Sequence, residues 1–306
     1  VPHQWQVVIG QDVLTEEELV ELSSQKEGLV LFKGRWVQVD QKKLSKAREF
    51  LRTQDESKST LLEAIRMTYD QSSEELGLPI VGMVASGWVE DLFGSSADGE
   101  SSFERCAQPE GFKGSLRPYQ EIGMSWLSFL DRIGLGGCLA DDMGLGKTIQ
   151  LIALLQFERA RAGDKVGPTL LIAPTSVIGN WKKEIHRFAP ELEVHVHHGA
   201  ERPTGDSFEV VAEDSDVVIT TYGLVVRDLP MLERIDWDRL ALDEAQYIKN
   251  PPTKQARSIR SLKARKRVAL TGTPVENRLT ELWSIMEFLN PGYFGTVTSF
   301  RNRSVA

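Results

Sequence analysis

The chain has 306 residues, of which 41% are hydrophobic, and its formal net charge is −8 at pH 7; a length of this size predicts two domains with a substantial core. No apolar run reaches the roughly 18–20 residues of a membrane span, and the first ten residues lack the pattern of a signal peptide. Two cysteines make no disulfide framework, so the sequence excludes membrane-spanning and disulfide-stabilised secreted classes and favours a cytoplasmic protein.

The first part of the chain predicts a small α+β domain over residues 1–105. A helix is indicated over residues 11–23, where Thr15 and Glu18 have the spacing of a capping box. The sequence GLVLFKGRWVQVD (28–40) predicts a strand pair around a Lys-Gly break. Two further helices are expected at 41–53 and 59–69. We recognise no catalytic chemistry in this region.

Residues 106–306 predict a second domain, after a Ser-, Gly- and acid-rich stretch (93–115) that indicates an exposed connection. Apolar runs alternate here with amphipathic helical segments, which predicts an α/β fold with a parallel sheet flanked by helices. Ligands bind such sheets at the carboxyl ends of the strands. The runs are 136–140, 169–174, 192–199, 216–222, 239–245 and 267–273.

The segment ADDMGLGKTIQ (140–150) predicts a phosphate-binding loop between a strand and a helix. Its glycines would let the backbone approach a phosphate, and backbone N–H groups would face the anion at the start of a helix beginning near Lys147. Lys147 would reach the β- and γ-phosphates of ATP, and the Thr148 hydroxyl would bind Mg²⁺. The general consensus has glycine where this chain has Asp141, but the flanking strand and helix favour phosphate binding over an ordinary turn.

The sequence LALDEAQ (240–246) places two carboxylates at the end of a predicted strand. Asp243 would hold Mg²⁺ through its water shell, and Glu244 would orient and deprotonate the attacking water. With Lys147, these two are the candidate catalytic residues. In LTGTPVEN (270–277), the threonine hydroxyl groups that follow the next predicted strand would form hydrogen bonds with the carboxylate motif and respond to changes in its state.

Two polar segments that follow strand runs predict contacts with nucleic-acid phosphates. Hydroxyl groups and backbone N–H groups suit a phosphate in APTSVIGNW, at a helix N-terminus, and TTYG repeats the arrangement. N-capping of the helix by its hydroxyl residues is the alternative. The candidate contact residues are Thr175, Ser176, Asn180, Thr220, Thr221 and Tyr222.

Together these motifs resemble the Swi/Snf family of superfamily-two helicase-like ATPases over about residues 113–295. The matching sequences, in the family's order, are LRPYQ, ADDMGLGKTIQ, LLIAPTSVIGNW, VVITTYG, DEAQYIKN and LTGTPVENRLTELWSIMEFLNPG. The family commonly has acidic residues ahead of Met-Gly-Leu-Gly-Lys-Thr, so Asp141 is a family variant. The resemblance implies a RecA-like lobe that uses ATP and Mg²⁺, with double-stranded DNA as its partner.

The resemblance also implies individual roles. Arg117 and Gln120 would contact the adenine side of the nucleotide. Gln246, where many family members have His, would couple the ATP site to DNA together with three residues that follow the last strand: Thr271, Gly272 and Thr273. The phosphate loop would comprise Asp141, Asp142, Met143, Gly144, Leu145, Gly146, Lys147 and Thr148.

Family members have a second RecA-like lobe with an arginine finger worth about 10³–10⁵ in rate, and we recognise no such lobe before Ala306. We therefore expect the chain to bind ATP but hydrolyse it very slowly alone, as the first lobe of a bacterial, nucleoid-associated translocase or remodeller. An RNA-directed helicase is an alternative function, since phosphate contacts do not distinguish DNA from RNA. Residues 1–105 would resemble a bacterial accessory region and form a protein-docking module.

Two other features are weaker candidates for function. His195 and His197 would share one face of a strand, with His198 opposite, but too few further ligands are present to favour a metal site. The basic segment 254–267 contains seven Lys or Arg residues and no acid; a solvated helix is favoured there over a DNA-binding one.

Overall fold

The computed structural model describes residues 7–9, 12–14, 18, 22, 29–32, 35–38, 105–162, 166–274 and 279–304. The chain divides into two compact units, residues 1–85 and 86–306. A domain boundary near residue 105 stays a prediction.

The described residues of the first unit include two antiparallel strand pairs. Strand β1 (Val7–Ile9) pairs with β2 (Asp12–Leu14), and β3 (Leu29–Phe32) pairs with β4 (Arg35–Gln38). The strand pair predicted over 28–40 is confirmed. The helix predicted from residue 11 is wrong at its start, because β2 pairs there with a β-branched strand, although residues 18 and 22 are helical. The helices predicted at 41–53 and 59–69 lie outside the described residues.

The second unit is a parallel sheet with helices on both faces. Its strands are β5 (Gly137–Leu139), β6 (Thr169–Ala173), β7 (Val194–Val196), β8 (Val217–Thr221), β9 (Trp237–Asp243) and β10 (Ala264–Leu270). Its α-helices are α1 (Pro118–Arg132), α2 (Lys147–Arg161), α3 (Ile178–Phe188), α4 (Asp206–Asp214), α5 (Tyr222–Leu232), α6 (Lys254–Ser261), α7 (Leu279–Leu289) and α8 (Val297–Ser304). All six predicted strands and the parallel arrangement are confirmed.

The strand order is β5-β10-β9-β6-β8-β7, so β10 lies between β5 and β9. In register, Leu270 of β10 is opposite Leu139 of β5 on one side and Asp243 of β9 on the other. Three polar segments therefore leave the same edge of the sheet side by side: the predicted phosphate loop, the Thr-Gly-Thr turn and the carboxylate pair. This edge is the one where parallel sheets bind ligands.

The core consists of two apolar clusters, one on each face of the sheet, because successive strand residues point to opposite faces. One cluster contains Leu171, Met124 and Trp181, and the other contains Leu170, Phe208 and Phe288. Burial on both faces explains why the strands read as continuous apolar runs.

Residues 105–115 belong to the second unit and pack against its helix α3. Phe112 is buried and stacks on Phe188 with ring centroids 5.7 Å apart, and the Lys113 N–H donates to the Phe188 carbonyl over 2.7 Å. The exposed connection predicted for 93–115 is therefore wrong at the buried residues Pro109 and Phe112, whereas six of residues 105–115 are exposed; residues 93–104 lie outside the described residues.

A buried charge network lies near the beginning of β9, at the opposite end of that strand from Asp243. The Arg239 guanidinium is fully buried and donates to Asp131 (2.8 Å) and Glu158 (2.7 Å). Lys266 lies 2.8 Å from Glu158 and 3.3 Å from Asp238. Burial, with three carboxylates sharing two cations, raises the pKa of Asp131 to about 7.

The helix predicted for the basic segment 254–267 is observed only over its first part. Helix α6 ends at Ser261, and three of the later basic residues, Arg265, Lys266 and Arg267, belong to β10, whose apolar end continues the sheet. Arg260 and Arg267 are structural, because they donate to carbonyl groups at Pro251 and Phe288 respectively, each over 2.7 Å.

Candidate nucleotide site

The loop after β5 has the geometry of a phosphate cradle. Gly144 and Gly146 have φ of 85° and 80°, a region in which residues with a Cβ are strained. Helix α2 begins at Lys147, as predicted, and places its first backbone N–H groups at this loop. The Lys147 ammonium donates to the carbonyls of Asp141 (2.6 Å) and Asp142 (3.1 Å), which holds the cation over the loop.

Asp141 shapes this loop through its side chain as well. Its carboxylate accepts a hydrogen bond from the amide of Gln150, a fully buried residue one turn into α2, over 2.9 Å. Among the described residues that are not glycine, only Glu244 has positive φ. Glycine is therefore not required at position 141, and an acidic residue there fixes the loop to the helix.

The remaining loop residues face outward. Met143 is 84% exposed, and Leu145 is also exposed, while its carbonyl accepts hydrogen bonds from the side chains of Gln120 and Tyr119, each over 3.1 Å. The open space around Gly144, with no atom within 4 Å of a would-be Cβ, leaves room for a phosphate group.

The segment that begins α1 lies against the phosphate loop. Gln120 is buried and accepts a hydrogen bond from the Arg117 backbone N–H over 2.9 Å, which fixes the first turn of α1. The Arg117 side chain is exposed. Of the two predicted adenine-side residues, Gln120 contacts the loop directly, and Tyr119 joins it there as an exposed aromatic ring.

The two carboxylates end β9 in different environments. Asp243 is partly buried; its Oδ2 accepts from the Trp181 indole N–H over 2.7 Å and its Oδ1 from the Glu244 N–H over 3.0 Å. Burial raises the pKa of Asp243, the Glu244 charge adds to that effect, and the Trp181 hydrogen bond and Lys147 oppose it. Glu244 has φ of 54° and ψ of 56°, a left-handed conformation that is strained for a residue with a side chain.

A hydrogen-bond relay connects the carboxylates with the turn after β10. The Gln246 amide donates to Glu244 Oε2 over 2.6 Å, and its carbonyl accepts from the Thr271 hydroxyl over 2.8 Å. The Thr273 N–H donates to the same hydroxyl over 3.1 Å. The predicted bonding between the hydroxyl segment and the carboxylate motif is therefore confirmed for Thr271. Gly272 lies beside the Met143 side chain.

The residues present fit a magnesium ion. The Thr148 side chain, in the first turn of α2, and the Asp243 carboxylate supply hard oxygen donors on neighbouring segments of the same sheet edge. Each Asp243 oxygen accepts one hydrogen bond and retains a further lone pair. This pattern suits contact with the ion through bound water.

The comparisons with known proteins agree with this geometry. A family model described as SNF2-related domain matches residues 119–305. The chain belongs to this family. A second model, described as SNF2 Helicase protein, matches residues 1–69.

Several SNF2-related proteins are similar to this chain. It is 42% identical to the putative ATP-dependent helicase/translocase YwqA of Bacillus subtilis, over 98% of this chain and 34% of that protein. It is 37% identical to the ISWI chromatin-remodeling complex ATPase ISW1 of Saccharomyces cerevisiae, over 65% of this chain and 18% of that protein. The chain therefore spans well under half the length of these relatives.

A solved SNF2 structure supports the RecA-like fold. The Sulfolobus solfataricus SWI2/SNF2 ATPase core in complex with dsDNA is 44% identical and superposes with a TM-score of 0.58. The match covers 65% of this chain and 41% of that chain. No helix within the described ranges is long and apolar enough to cross a membrane.

The predicted nucleic-acid residues separate into two groups. Thr175, Ser176 and Asn180 are exposed, and no side chain caps α3, so the N-capping alternative is not observed. In contrast, Thr220 and Thr221 are buried; the Thr220 hydroxyl donates to the His197 carbonyl, and the Thr221 hydroxyl caps α5.

Tyr222 is also buried, and its hydroxyl donates to the Asp243 carbonyl over 2.7 Å. The prediction is therefore corrected for the three side chains of the second group, whose polar atoms serve internal hydrogen bonds. Gly223 is the exposed residue of that segment, so only its backbone faces outward there.

Sequence reasoning missed three residues of this SNF2 site: Tyr119, Gln150 and Trp181. Each lies within one of the quoted family motifs, but its hydrogen-bond partner does not follow from the motif: Trp181 and Asp243, for example, are 62 residues apart. Ordinary core packing also explains a Trp and a Gln on the buried face of predicted helices, so the motifs alone did not indicate what these side chains bind.

The histidines after β7 form no metal centre. His197 is buried and lies 3.1 Å from Asp228 Oδ2, which also accepts from Arg202. Within the described part of the chain, no group of three or more His, Cys, Asp or Glu side chains is arranged to hold a metal ion. His197 is therefore part of a structural hydrogen-bond cluster, in which Asp228 forms an ion pair with Arg202.

Proposed function

We propose that this chain is the nucleotide-binding lobe of a DNA-stimulated ATPase that translocates on, or remodels complexes of, double-stranded DNA. The observation that carries the proposal is the meeting of the phosphate loop and the carboxylate pair on either side of the β10 turn. The similar Sulfolobus SWI2/SNF2 core was solved with dsDNA, which supports duplex DNA as the partner.

The chemistry follows from what the side chains do. Lys147 and the N-terminal N–H groups of α2 would bind the phosphates, and Glu244 would orient a water molecule and accept its proton. Thr148 and Asp243 would hold Mg²⁺, which when bound neutralises charge on the phosphates. Gln246, fixed between Glu244 and Thr271, would limit the orientations of the Glu244 carboxylate.

The nucleic-acid contact is assigned to the exposed beginning of α3. Thr175, Ser176 and Asn180 present hydroxyl and amide groups that can donate hydrogen bonds to phosphate oxygens, and no side chain caps the backbone N–H groups there. The exposed backbone at Gly223, in the TTYG segment at the end of β8, would extend the contact with the nucleic-acid phosphates. The side chains of the second segment do not take part.

ATP hydrolysis by the full-length protein tests the proposal. We expect duplex DNA to stimulate turnover more than RNA does, and Lys147→Ala to abolish nucleotide binding. Lys113→Ala, an exposed lysine whose backbone rather than side chain makes its hydrogen bond, serves as the charge-matched control. Stimulation by RNA alone would support the RNA-directed alternative, and turnover without any nucleic-acid response would contradict both.

Duplex DNA binding tests the α3 assignment separately. Ser176→Ala and Asn180→Ala should each weaken DNA binding by about 0.5–1.5 kcal/mol, with nucleotide affinity unchanged. Ser207→Ala is the matched control, because Ser207 is an exposed serine at the beginning of α4 whose hydroxyl already bonds the Thr204 carbonyl. Equal effects of all three changes would remove α3 from the proposed contact.

A docking role for residues 1–105 is a second proposal for the same protein. It is supported by the separate compact unit at residues 1–85 and by the separate family match over 1–69. We expect deletion of this region to remove a protein partner while DNA-stimulated turnover remains. A bacterial nucleoid location would follow from duplex DNA binding, and a fluorescent fusion should then co-localise with the chromosome.

A further inference from the structure

Helix α3 carries a buried tryptophan directly after the exposed residue Asn180. Trp181 is 2% exposed and packs in the apolar cluster on one face of the sheet. Its indole N–H leaves this cluster to donate to Asp243 Oδ2 over 2.7 Å. One residue therefore connects the helix proposed to contact DNA with a carboxylate of the nucleotide site.

The hydrogen bond does more than satisfy a buried indole. The two oxygens of Asp243 are held by two donors on different elements, the Trp181 side chain on α3 and the Glu244 backbone. Two donors at opposite oxygens fix the rotation of the carboxylate about its Cβ–Cγ bond. A phenyl ring at position 181 would retain most of the packing but leave that rotation controlled by one donor alone.

We propose that Trp181 is a positioning residue that aims the Asp243 carboxylate at the nucleotide site and links it to the beginning of α3. This inference rests on the proposed function. Because Asn180 and Trp181 are consecutive residues of one helix, a DNA contact that shifts the first turn of α3 also shifts the indole N–H. The orientation of Asp243 then responds to DNA, and by reciprocity the bound nucleotide changes the affinity for DNA.

The test compares Trp181→Phe with Trp237→Phe in the full-length protein. Trp237 is the matched control, since it is also 2% exposed and its indole N–H also donates a hydrogen bond, but to the Leu232 carbonyl over 2.9 Å. Equilibrium binding of a fluorescent ATP analogue is measured in a Mg²⁺ titration, with excess chelator, and with or without a short DNA duplex. Thermal unfolding monitors the fold of each variant.

We expect Trp181→Phe to require about tenfold more Mg²⁺ for half-maximal nucleotide binding, with unchanged nucleotide affinity in chelator. The effect of DNA on nucleotide affinity should be lost in this variant and retained in Trp237→Phe. If Trp181→Phe is unstable, a benzothienyl side chain at position 181, which replaces the N–H by sulfur in the same shape, should give the same shift.

Equal Mg²⁺ requirements for Trp181→Phe, Trp237→Phe and the unmodified protein would overturn the positioning role. Loss of nucleotide binding in chelator as well would also overturn it, since that outcome indicates a general structural effect. If the unmodified protein binds nucleotide without any response to DNA, the DNA part of the proposed function fails. The Mg²⁺ titration still decides the role of Trp181 in that case.

Discussion

Replacement of Thr271 by valine tests the relay between the carboxylates and the β10 turn. Thr271 is 0% exposed, and its hydroxyl donates to the Gln246 carbonyl oxygen over 2.8 Å while accepting the Thr273 N–H. Valine has nearly the same shape, so packing is retained. Its methyl group leaves two former partners unsatisfied, each at a cost of about 1–3 kcal/mol when buried.

The loss of the Thr271 hydrogen bond costs less at Thr273, which is exposed, than at Gln246, which is half-buried. Water can replace part of the lost hydrogen bonding at both residues. We therefore expect the free energy of unfolding to fall by about 1–3 kcal/mol in total, the range for one buried group. Nucleotide affinity should stay within about twofold. Turnover should fall because Gln246, no longer fixed by Thr271, holds Glu244 less tightly.

The same substitution at Thr169 provides the control. Thr169 is 1% exposed in strand β6, but its hydroxyl oxygen has no hydrogen-bond partner among the residues that the structure describes. Thr169→Val should therefore leave stability unchanged or raise it, since it removes a buried unsatisfied polar atom. Urea unfolding and DNA-stimulated ATP hydrolysis are measured for both variants. Equal losses of stability in the two variants would refute the reasoning.

Three further predictions concern the loop, the base and the buried charges. Gly146→Ala should weaken nucleotide binding, because the backbone has positive φ and the new Cβ would lie 2.5 Å from the Gln120 amide. Gly179→Ala is the control for nucleotide affinity, because the new Cβ would point into open space. Glu244→Gln should retain nucleotide binding and lower turnover by about 10²-fold or more, and normal turnover would exclude Glu244 as the base. The pKa of Asp131 in the folded protein is raised from 3.8 to about 7. Protonated Asp131 therefore contributes fully to the free energy of unfolding below pH 3.8, and this contribution is lost as the pH rises through 7, by about 1 kcal/mol per pH unit. Asp131→Asn should flatten that decline in urea unfolding measured between pH 5 and 8, and an unchanged slope would contradict the assignment.

The elements that the sequence predicted correctly are those with a local cause. The six apolar runs, the beginning of α2 at Lys147 and the β3–β4 pair follow from side-chain periodicity, glycine placement and turn residues within a few positions of each other. Such preferences depend on neighbouring backbone groups, so the sequence alone indicates them. The helix predicted from residue 11 failed at its first residues because β2 gains its hydrogen bonds from β1, a partner that periodicity does not record.

The composition of the site was also readable from the sequence. The Gly-Lys-Thr loop, Asp243 and Glu244, and the hydroxyl at Thr271 belong to short motifs whose chemistry depends on residue type and on position after a strand. The order of the strands then brought them together, since β10 lies between β5 and β9. Motif spacing along the chain does not contain that order.

The tertiary structure alone decided which polar side chains face outward and which residues support the site. Ser176 follows β6 and is exposed, whereas Thr220 lies within β8 and is buried with a hydrogen bond to the His197 carbonyl. Trp181 reaches Asp243 only because α3 packs on the sheet above the end of β9. Local sequence determines the strands, helices and motifs, whereas contacts between residues far apart depend on how the helices pack across the sheet.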